Sequence, residues 1–269
     1  MSEADGEQQS SSGAPSGSGR GRVRFVCVSD THARLRGASE KGLIPDGDVL
    51  LHAGDFTTHG SGKETRRFGR DLALLPHAHK VVVAGNHDRW CEEHSLQAVQ
   101  EALGQCHFLH DSAVELFGYK IYGAPWTPEY WGAFNLRRGA EIRERWALIP
   151  EDTDILITHG PPAAFGDRLL DGKSVGCEQL LSEVQGRVRP RWHVFGHIHE
   201  AYGVESDGTT NFANASLCDV RYGLANAAIV FELPHKSVSP ADDDTAHSSA
   251  AADETAPKLQ AISLTRDRM

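Results

Sequence analysis

The chain has 269 residues, 39% of them hydrophobic and 24% charged, with a formal net charge of -10. That length makes one large domain or two small ones and can bury a substantial core, and the acidic excess argues against a general nucleic-acid or membrane-surface binder, which needs surplus lysine and arginine. No apolar run is long enough for a membrane span, no cationic-then-apolar leader opens the sequence, and Cys27, Cys91, Cys106, Cys177 and Cys218 form no C-x-x-C pair. A reducing, cytoplasmic setting without disulfides or thiolate-bound zinc is therefore expected.

Residues 1–21 are rich in Ser and Gly and read as a disordered tail. Residues 22–233 form one continuous domain, and residues 234–269 read as a flexible tail in which residues 259–264 could dock weakly. Within the domain, residues 23–28, 49–52, 81–84, 155–158 and 192–195 are short apolar runs rich in Val, Ile or Leu, as in strands covered on both faces. Helical spacing recurs in Phe68, Leu72, Leu75; in Leu96, Val99, Leu103; in Ile142, Trp146, Ile149; and in Leu180, Leu181, Val184, Val188. Residues 114–116 and 119–122 read as a hairpin across Phe117-Gly118, and residues 201–232 as β-rich. The sum is an α/β fold.

The polar residues cluster where the apolar strands stop. The five runs are followed in turn by Ser29-Asp30-Thr31-His32, Gly54-Asp55, Gly85-Asn86-His87-Asp88, His159-Gly160-Pro161-Pro162 and Gly196-His197-Ile198-His199. Each piece alone is an ordinary turn sequence. Five of them at strand ends point to one site, because ligands of open α/β sheets bind at the carboxyl edge. Carboxylates, one carboxamide and imidazoles, with no thiolate, suit borderline divalent metals such as Mn²⁺, Fe²⁺, Zn²⁺ or Ni²⁺. A carboxylate has two oxygens and can bridge two ions, the natural role for Asp55. Two ions about 3.5–4 Å apart can clamp a phosphoryl group and acidify a water.

In this order the motifs D-x-H, G-D, G-N-H-D, H and G-H-x-H resemble the calcineurin-like metallophosphoesterase superfamily. RFVCVSDTH, DVLLHAGDFT, KVVVAGNHD, YGAPWTP, DTDILITHGPP, RPRWHVFGHIHE and NFANAS resemble its metallophosphoesterase-domain-containing subfamily, over about residues 24–233. The resemblance implies a four-layer α-β-β-α sandwich. It implies two divalent ions, Mn²⁺ first, with Fe, Zn, Ni or Co as alternatives. Asp30, His32 and His199 would hold one, Asn86, His159 and His197 the other, and Asp55 would bridge. It implies that His87 donates a proton to the leaving group while Asp88 orients it. Some relatives carry Gly at the first His of G-H-x-H, which weakens one metal site; His197 keeps the set complete here. The implied activity is hydrolysis of phosphodiesters, including cyclic nucleotides. A nucleotide-binding or scaffolding protein with little turnover is the rival reading from another class, and a phosphomonoesterase the rival among enzymes.

Other residues carry weaker expectations. His52 is a candidate to hydrogen-bond a ligand carboxylate, and His59 is expected to be exposed. His77, His79, His94, His107, His110, His193, His235 and His247 read as ordinary core or surface residues. Of Trp126, Tyr130, Trp131 and Phe134, most should pack on the sandwich, with room for one to stack on a purine base. Asn214-Ala215-Ser216 is a sequon expected to be unmodified and to lie near the site, and Cys27 and Cys177 read as small core residues.

Overall fold

The computed structural model describes residues 21–236, so the expectations for most of both tails lie outside the described residues. Thirteen strands follow in chain order: β1 Arg22–Val28, β2 Val49–His52, β3 His79–Val82, β4 His107–Phe108, β5 Ser112–Leu116, β6 Tyr119–Ala124, β7 Thr127–Pro128, β8 Asn135–Leu136, β9 Ile155–Thr158, β10 Trp192–Phe195, β11 Gly203–Ser206, β12 Asn211–Asn214 and β13 Ile229–Pro234. One sheet has the order β13-β1-β2-β3-β4, the other β11-β12-β10-β9-β6-β5, and β7 pairs with β8 apart from both. Strands β1 to β4 run parallel, β4 at one edge, as do the inner strands β6, β9, β10 and β12, while β13, β5 and β11 close the other three edges antiparallel.

The apolar alternation along each strand builds the layers. Phe25, Cys27, Val49, Leu51, Val81 and Val83 of the first sheet join Ile121, Ile155, Ile157, Val194 and Ala213 of the second in a core between the two sheets. The intervening residues face outward. Val26, Val28, Leu50 and Val82 pack with the helical residues Leu35, Phe68, Leu72, Val99 and Leu103, and Tyr122, Leu156, Phe195 and Phe212 lie in the apolar cluster that includes Ile142, Trp146, Leu180 and Val184. Because strand side chains alternate with period two, both faces of each sheet are covered. The result is the α-β-β-α sandwich.

The helices are α1 Leu35–Glu40, α2 Gly62–Ala73, α3 Arg89–Glu93, α4 Leu96–Leu103, α5 Ala140–Trp146 and α6 Glu178–Glu183, the last continued by a π turn at Val184–Val188. α2 starts at a capping box: the Ser61 side chain accepts from the Glu64 amide and Glu64 reaches back to the Ser61 amide. The third apolar run is displaced from its expected place. The strand begins at His79, pairing with Val49, and ends at Val82, although the Val83 amide still donates to the His52 carbonyl at 3.0 Å. At the other end the strand pairing of Arg22 with Pro234 carries the fold past residue 233, and Lys236 reaches the Asp154 carboxylate at 2.7 Å.

His193 is a core residue, as expected, in the middle of β10. The Thr158 hydroxyl donates to the Gly160 carbonyl at 2.8 Å, so its oxygen accepts from His193 Nε2 at 2.8 Å, and His193 Nδ1 is buried without a partner. Burial pushes this imidazole down to about 3. Its folded pKa lies below the ordinary 6.5, so the unfolded chain binds more protons between those values and stability falls as pH drops from about 6.5 toward 3. In His193→Phe, which places a ring beside Phe195 and Phe212, the urea midpoint relative to wild type is expected to rise between pH 7 and pH 5. A difference that does not change with pH would contradict the assignment.

Candidate metal centre

Five loops bring the site together. They leave the carboxyl ends of β1, β2 and β3 in one sheet and of β9 and β10 in the other. Backbone bonds stitch these ends: Asp30 N–H donates to the Gly54 carbonyl (3.0 Å), Ser29 N–H to Ala215 (2.8 Å) and Gly196 N–H to His159 (3.0 Å). Asp30, His32, Asp55 and His197 all sit at positive φ, between 40° and 69°. Non-glycine residues seldom adopt that region, and here it turns each side chain inward. The glycines before the polar residues have a steric cause. A Cβ on Gly196 would lie 2.0 Å from Asp30 Oδ2, and one on Gly85 2.3 Å from Asp55 Oδ1.

All seven expected ligand side chains converge. His32 Nε2 lies 3.3 Å from His199 Nε2, and His199 Nε2 lies 3.4 Å from Asp30 Oδ1. On the other side, Asn86 Oδ1 lies 2.9 Å from both His159 Nε2 and His197 Nδ1. Asp55 stands between them, with Oδ1 3.3 Å from His159 Nε2 and Oδ2 3.9 Å from His32 Nε2. Asp30, His32 and His199 form one group able to hold a cation; Asp55, His159 and His197 form another; His32, Asp55 and His87 form a third that overlaps both.

The outer hydrogen bonds settle which atoms face inward. His32 Nδ1 meets the Thr57 carbonyl (3.2 Å), His159 Nδ1 that of Ala53 (2.9 Å) and His199 Nδ1 that of Asp219 (2.9 Å). A carbonyl only accepts, so each Nδ1 carries a proton, and each ring, once its Nε2 gives up any second proton, turns a lone pair into the site. Asn86 Nδ2 donates to the Trp131 carbonyl at 3.1 Å, which leaves Oδ1 inward. Lone pairs and carboxylates facing one another at these distances require a cation or protons between them.

The electrostatics agree. Burial would raise the Asp30 and Asp55 carboxyls, but His199 beside Asp30 and His159 beside Asp55 hold both well below the usual carboxylate range. The same contacts overcome burial at the imidazoles and lift His159 and His199 to about 9 each. Burial lowers His32, and burial with the charge of His159 takes His197 down to about 4. Two carboxylates thus draw positive charge into a buried site, and the donor set fits a divalent metal of the borderline class.

Two expectations are corrected. The Asp88 carboxylate does not touch the His87 ring. It accepts from the amides of Gly85 (2.8 Å) and Thr57 (2.9 Å) and from the Thr57 hydroxyl (2.7 Å), and so ties the loop after β2 to the loop after β3. Burial, with the charge of Asp55, pushes it up to about 7. The ring of His87 is oriented instead by the Thr58 carbonyl, 2.9 Å from Nδ1. His52 is buried but reaches no carboxylate: Nε2 meets the Thr31 hydroxyl at 2.9 Å and Nδ1 accepts from the Gly54 amide at 3.3 Å. It clips two site turns together.

A cleft of about 680 Å³ opens over the site, lined by Asp55, Asn86, His87, His197 and His199 and by Tyr130, Trp131, Arg138 and Tyr222. The aromatic segment divides. Trp126 and Phe134 are buried, while Tyr130 and Trp131 are exposed and line the cleft, the Trp131 ring 4.9 Å from that of His87. Tyr222 was not singled out from the sequence, yet its ring lies 4.7 Å from His32 and 5.2 Å from His199. It falls in a short irregular segment with no motif to mark it. Asn214 does lie by the site: its buried amide donates to the Ile198 carbonyl at 2.8 Å, inside the G-H-x-H turn. His59 is exposed, and Cys27 and Cys177 are buried, as expected.

Residues 23–201 match the calcineurin-like phosphoesterase family. Metallophosphoesterase domain-containing protein 1 of Homo sapiens is 46% identical over 238 residues, covering 80% of this chain and 72% of the relative, and the Mus musculus protein of that name matches equally. A UPF0046 protein of Caenorhabditis elegans is 41% identical over 231 residues, covering 79% of this chain and 82% of its own. The chain belongs to the calcineurin-like phosphoesterases, a class of metal-dependent phosphoric ester hydrolases. Within that class it falls in the metallophosphoesterase domain-containing subfamily. No helix among the described residues is long and apolar enough to cross a membrane.

Metal binding must displace the protons that His159 and His199 hold below pH 9. Titrating Mn²⁺ into metal-free protein at pH 7 is expected to release about two protons, read as a buffer-dependent heat, and affinity should rise toward pH 9. A heat independent of the buffer would contradict these protonation states.

Proposed function

We propose that this protein is a dinuclear-metal phosphodiesterase. Asp30, His32 and His199 would hold one divalent ion, Asn86, His159 and His197 the other, and Asp55 would offer one oxygen to each. The observation that carries the reading is the set of facing lone pairs around Asp55, whose two oxygens address separate histidine groups at 3.3 and 3.9 Å. When bound, two such ions, Mn²⁺ first among the borderline metals, would offset charge on the phosphoryl oxygens and acidify water for in-line attack.

The chain's own residues supply the rest. His87 is half-buried at the cleft, with Nδ1 anchored on the Thr58 carbonyl and Nε2 turned to the site, 3.9 Å from Asp55 Oδ2. Protonated at Nε2, it donates that proton to the departing alcohol oxygen, a contribution of about 10²–10⁴-fold. Asp88 holds the loop that carries His87, and the His87 amide donates to Asp55 Oδ1 at 2.8 Å, coupling the acid to the bridging carboxylate. A diester presents one negative charge on its phosphoryl oxygens and a monoester up to two. Arg138 is the lone lysine or arginine lining the cleft among the described residues, which favours the diester. The intact His197 and His87 favour turnover over a binding or scaffolding role.

One observation favours a second role for His87. Its Nε2 is as far from Asp55 Oδ2 as His32 Nε2 is, so it is also placed to ligate a cation. His87→Ala separates the two. As a general acid, its loss should lower kcat on an alkyl ester far more than on a p-nitrophenyl ester while metal content stays at wild-type level; equal losses with a missing ion would make His87 a ligand. Asp55→Ala is expected to abolish activity and remove both ions, and one fully retained ion would contradict bridging.

A further inference from the structure

We propose that Asn135 is a positioning residue for Asn86: its carboxamide holds the loop whose Trp131 carbonyl turns Asn86 Oδ1 into the site, and this rests on the two-ion reading of the centre. Asn86 is the one carboxamide among the seven expected ligands. An amide presents an oxygen and an NH2 group of nearly the same shape, and only the oxygen can ligate a cation. Rotated by half a turn, Asn86 would offer N–H donors to His159 and His197 in place of Oδ1, which lies 2.9 Å from each. The Trp131 carbonyl opposes this rotation, because it accepts from Asn86 Nδ2 at 3.1 Å and has no proton to give an oxygen.

The segment that carries this carbonyl joins β7 to β8 and lies directly on the Asn86 backbone. Ala133 N–H donates to the Asn86 carbonyl at 2.8 Å. Gly132, at φ 89°, comes so close that a Cβ there would lie 2.2 Å from the same oxygen. Phe134 also stands in left-handed backbone, at φ 58°, and its amide donates to Glu92 of α3 at 2.7 Å. A loop bent this tightly onto a ligand persists only where its surroundings fix it.

Asn135 fixes it from the first residue of β8. Its Nδ2 donates to the carbonyls of Gly132 (2.9 Å) and Ala133 (3.1 Å), and its Oδ1 accepts from the Tyr130 amide (3.2 Å) and the Thr127 hydroxyl (3.2 Å). One side chain thus spends its full donor and acceptor capacity on the residues that bracket Trp131. Thr127 in turn rests against the loop after β9, where a Cβ on Gly160 would lie 3.1 Å from Thr127 Cγ2. None of the four bonds goes to an expected ligand, so Asn135 acts through Trp131 and Asn86. Loss of such an outer partner costs about 10- to 100-fold in metal affinity.

The test titrates Mn²⁺ by calorimetry into metal-free full-length protein at pH 7, with melting temperatures of the variants compared first. Asn135→Leu keeps the shape of the side chain, removes its hydrogen bonds and adds no charge. It is expected to weaken Kd for one of the two ions by about 10- to 100-fold and to leave the other within about threefold. Asn86→Ala should weaken that same ion. The double variant Asn86→Ala/Asn135→Leu should bind it no more weakly than Asn86→Ala alone, since a residue that acts only through Asn86 then has nothing left to position. Gly132→Ala, which forces the loop off Asn86 with Asn135 intact, should weaken the same ion and replaces Asn135→Leu if that variant melts well below wild type. Losses that multiply in the double variant, equal losses at both ions, or an unchanged Kd in Asn135→Leu or Gly132→Ala would overturn the proposal. Wild-type protein that takes up a single ion would sink the two-ion reading. The Asn135 assignment would still stand if Asn86→Ala and Asn135→Leu both weakened that ion, and would fall if Asn135→Leu left it unchanged.

Discussion

Electron pairs held face to face in a buried pocket are the constraint on which this architecture turns. Two carboxylates and four imidazoles point at one another at hydrogen-bond distance or just beyond. Left to themselves such groups would rotate apart or take up protons. Carbonyls behind His32, His159 and His199 hold three of the rings from the outside, and left-handed backbone at Asp30, His32, Asp55 and His197 fixes four attachment points. The cost of that strain, about 1–3 kcal/mol for each such residue, is offset by a core sealed on both faces of both sheets.

The same logic explains why glycine precedes Asp55, Asn86 and His197. The space a Cβ would occupy at Gly85 and Gly196 belongs to the carboxylates of Asp55 and Asp30, each contributed by a distant loop. Asp88 and His52 work on the same problem. Neither belongs to a group able to hold a cation; each locks one site turn to another, Asp88 through Thr57 and Gly85, His52 through Thr31 and Gly54. Geometry at the centre is therefore a property of the loops jointly, and a change at any of them moves the rest.

Much of this was legible in the chain itself. The parallel strands are short, apolar and followed at once by polar residues, so the α/β class and the convergence of Asp30, His32, Asp55, Asn86, His159, His197 and His199 could be read from position, while the layer order came from the family resemblance. Roles that depend on side-chain direction could not. The family resemblance implied that Asp88 orients His87, but the turn at Gly85–Asp88 sends the carboxylate toward Thr57 and the ring toward Thr58. Tyr222 and Arg138 reach the cleft from irregular segments whose course is set by tertiary contacts, and no periodicity or motif marks them. The two-residue strand β4 is too short to leave a pattern.

The central claim is that one carboxylate joins two cations. Anomalous diffraction from crystals grown with Mn²⁺ tests it most directly. The account predicts two peaks about 3.5–4 Å apart on either side of Asp55, one against Asp30, His32 and His199, the other against Asn86, His159 and His197. A solitary peak, or density that leaves Asp55 out of contact with either ion, would contradict it.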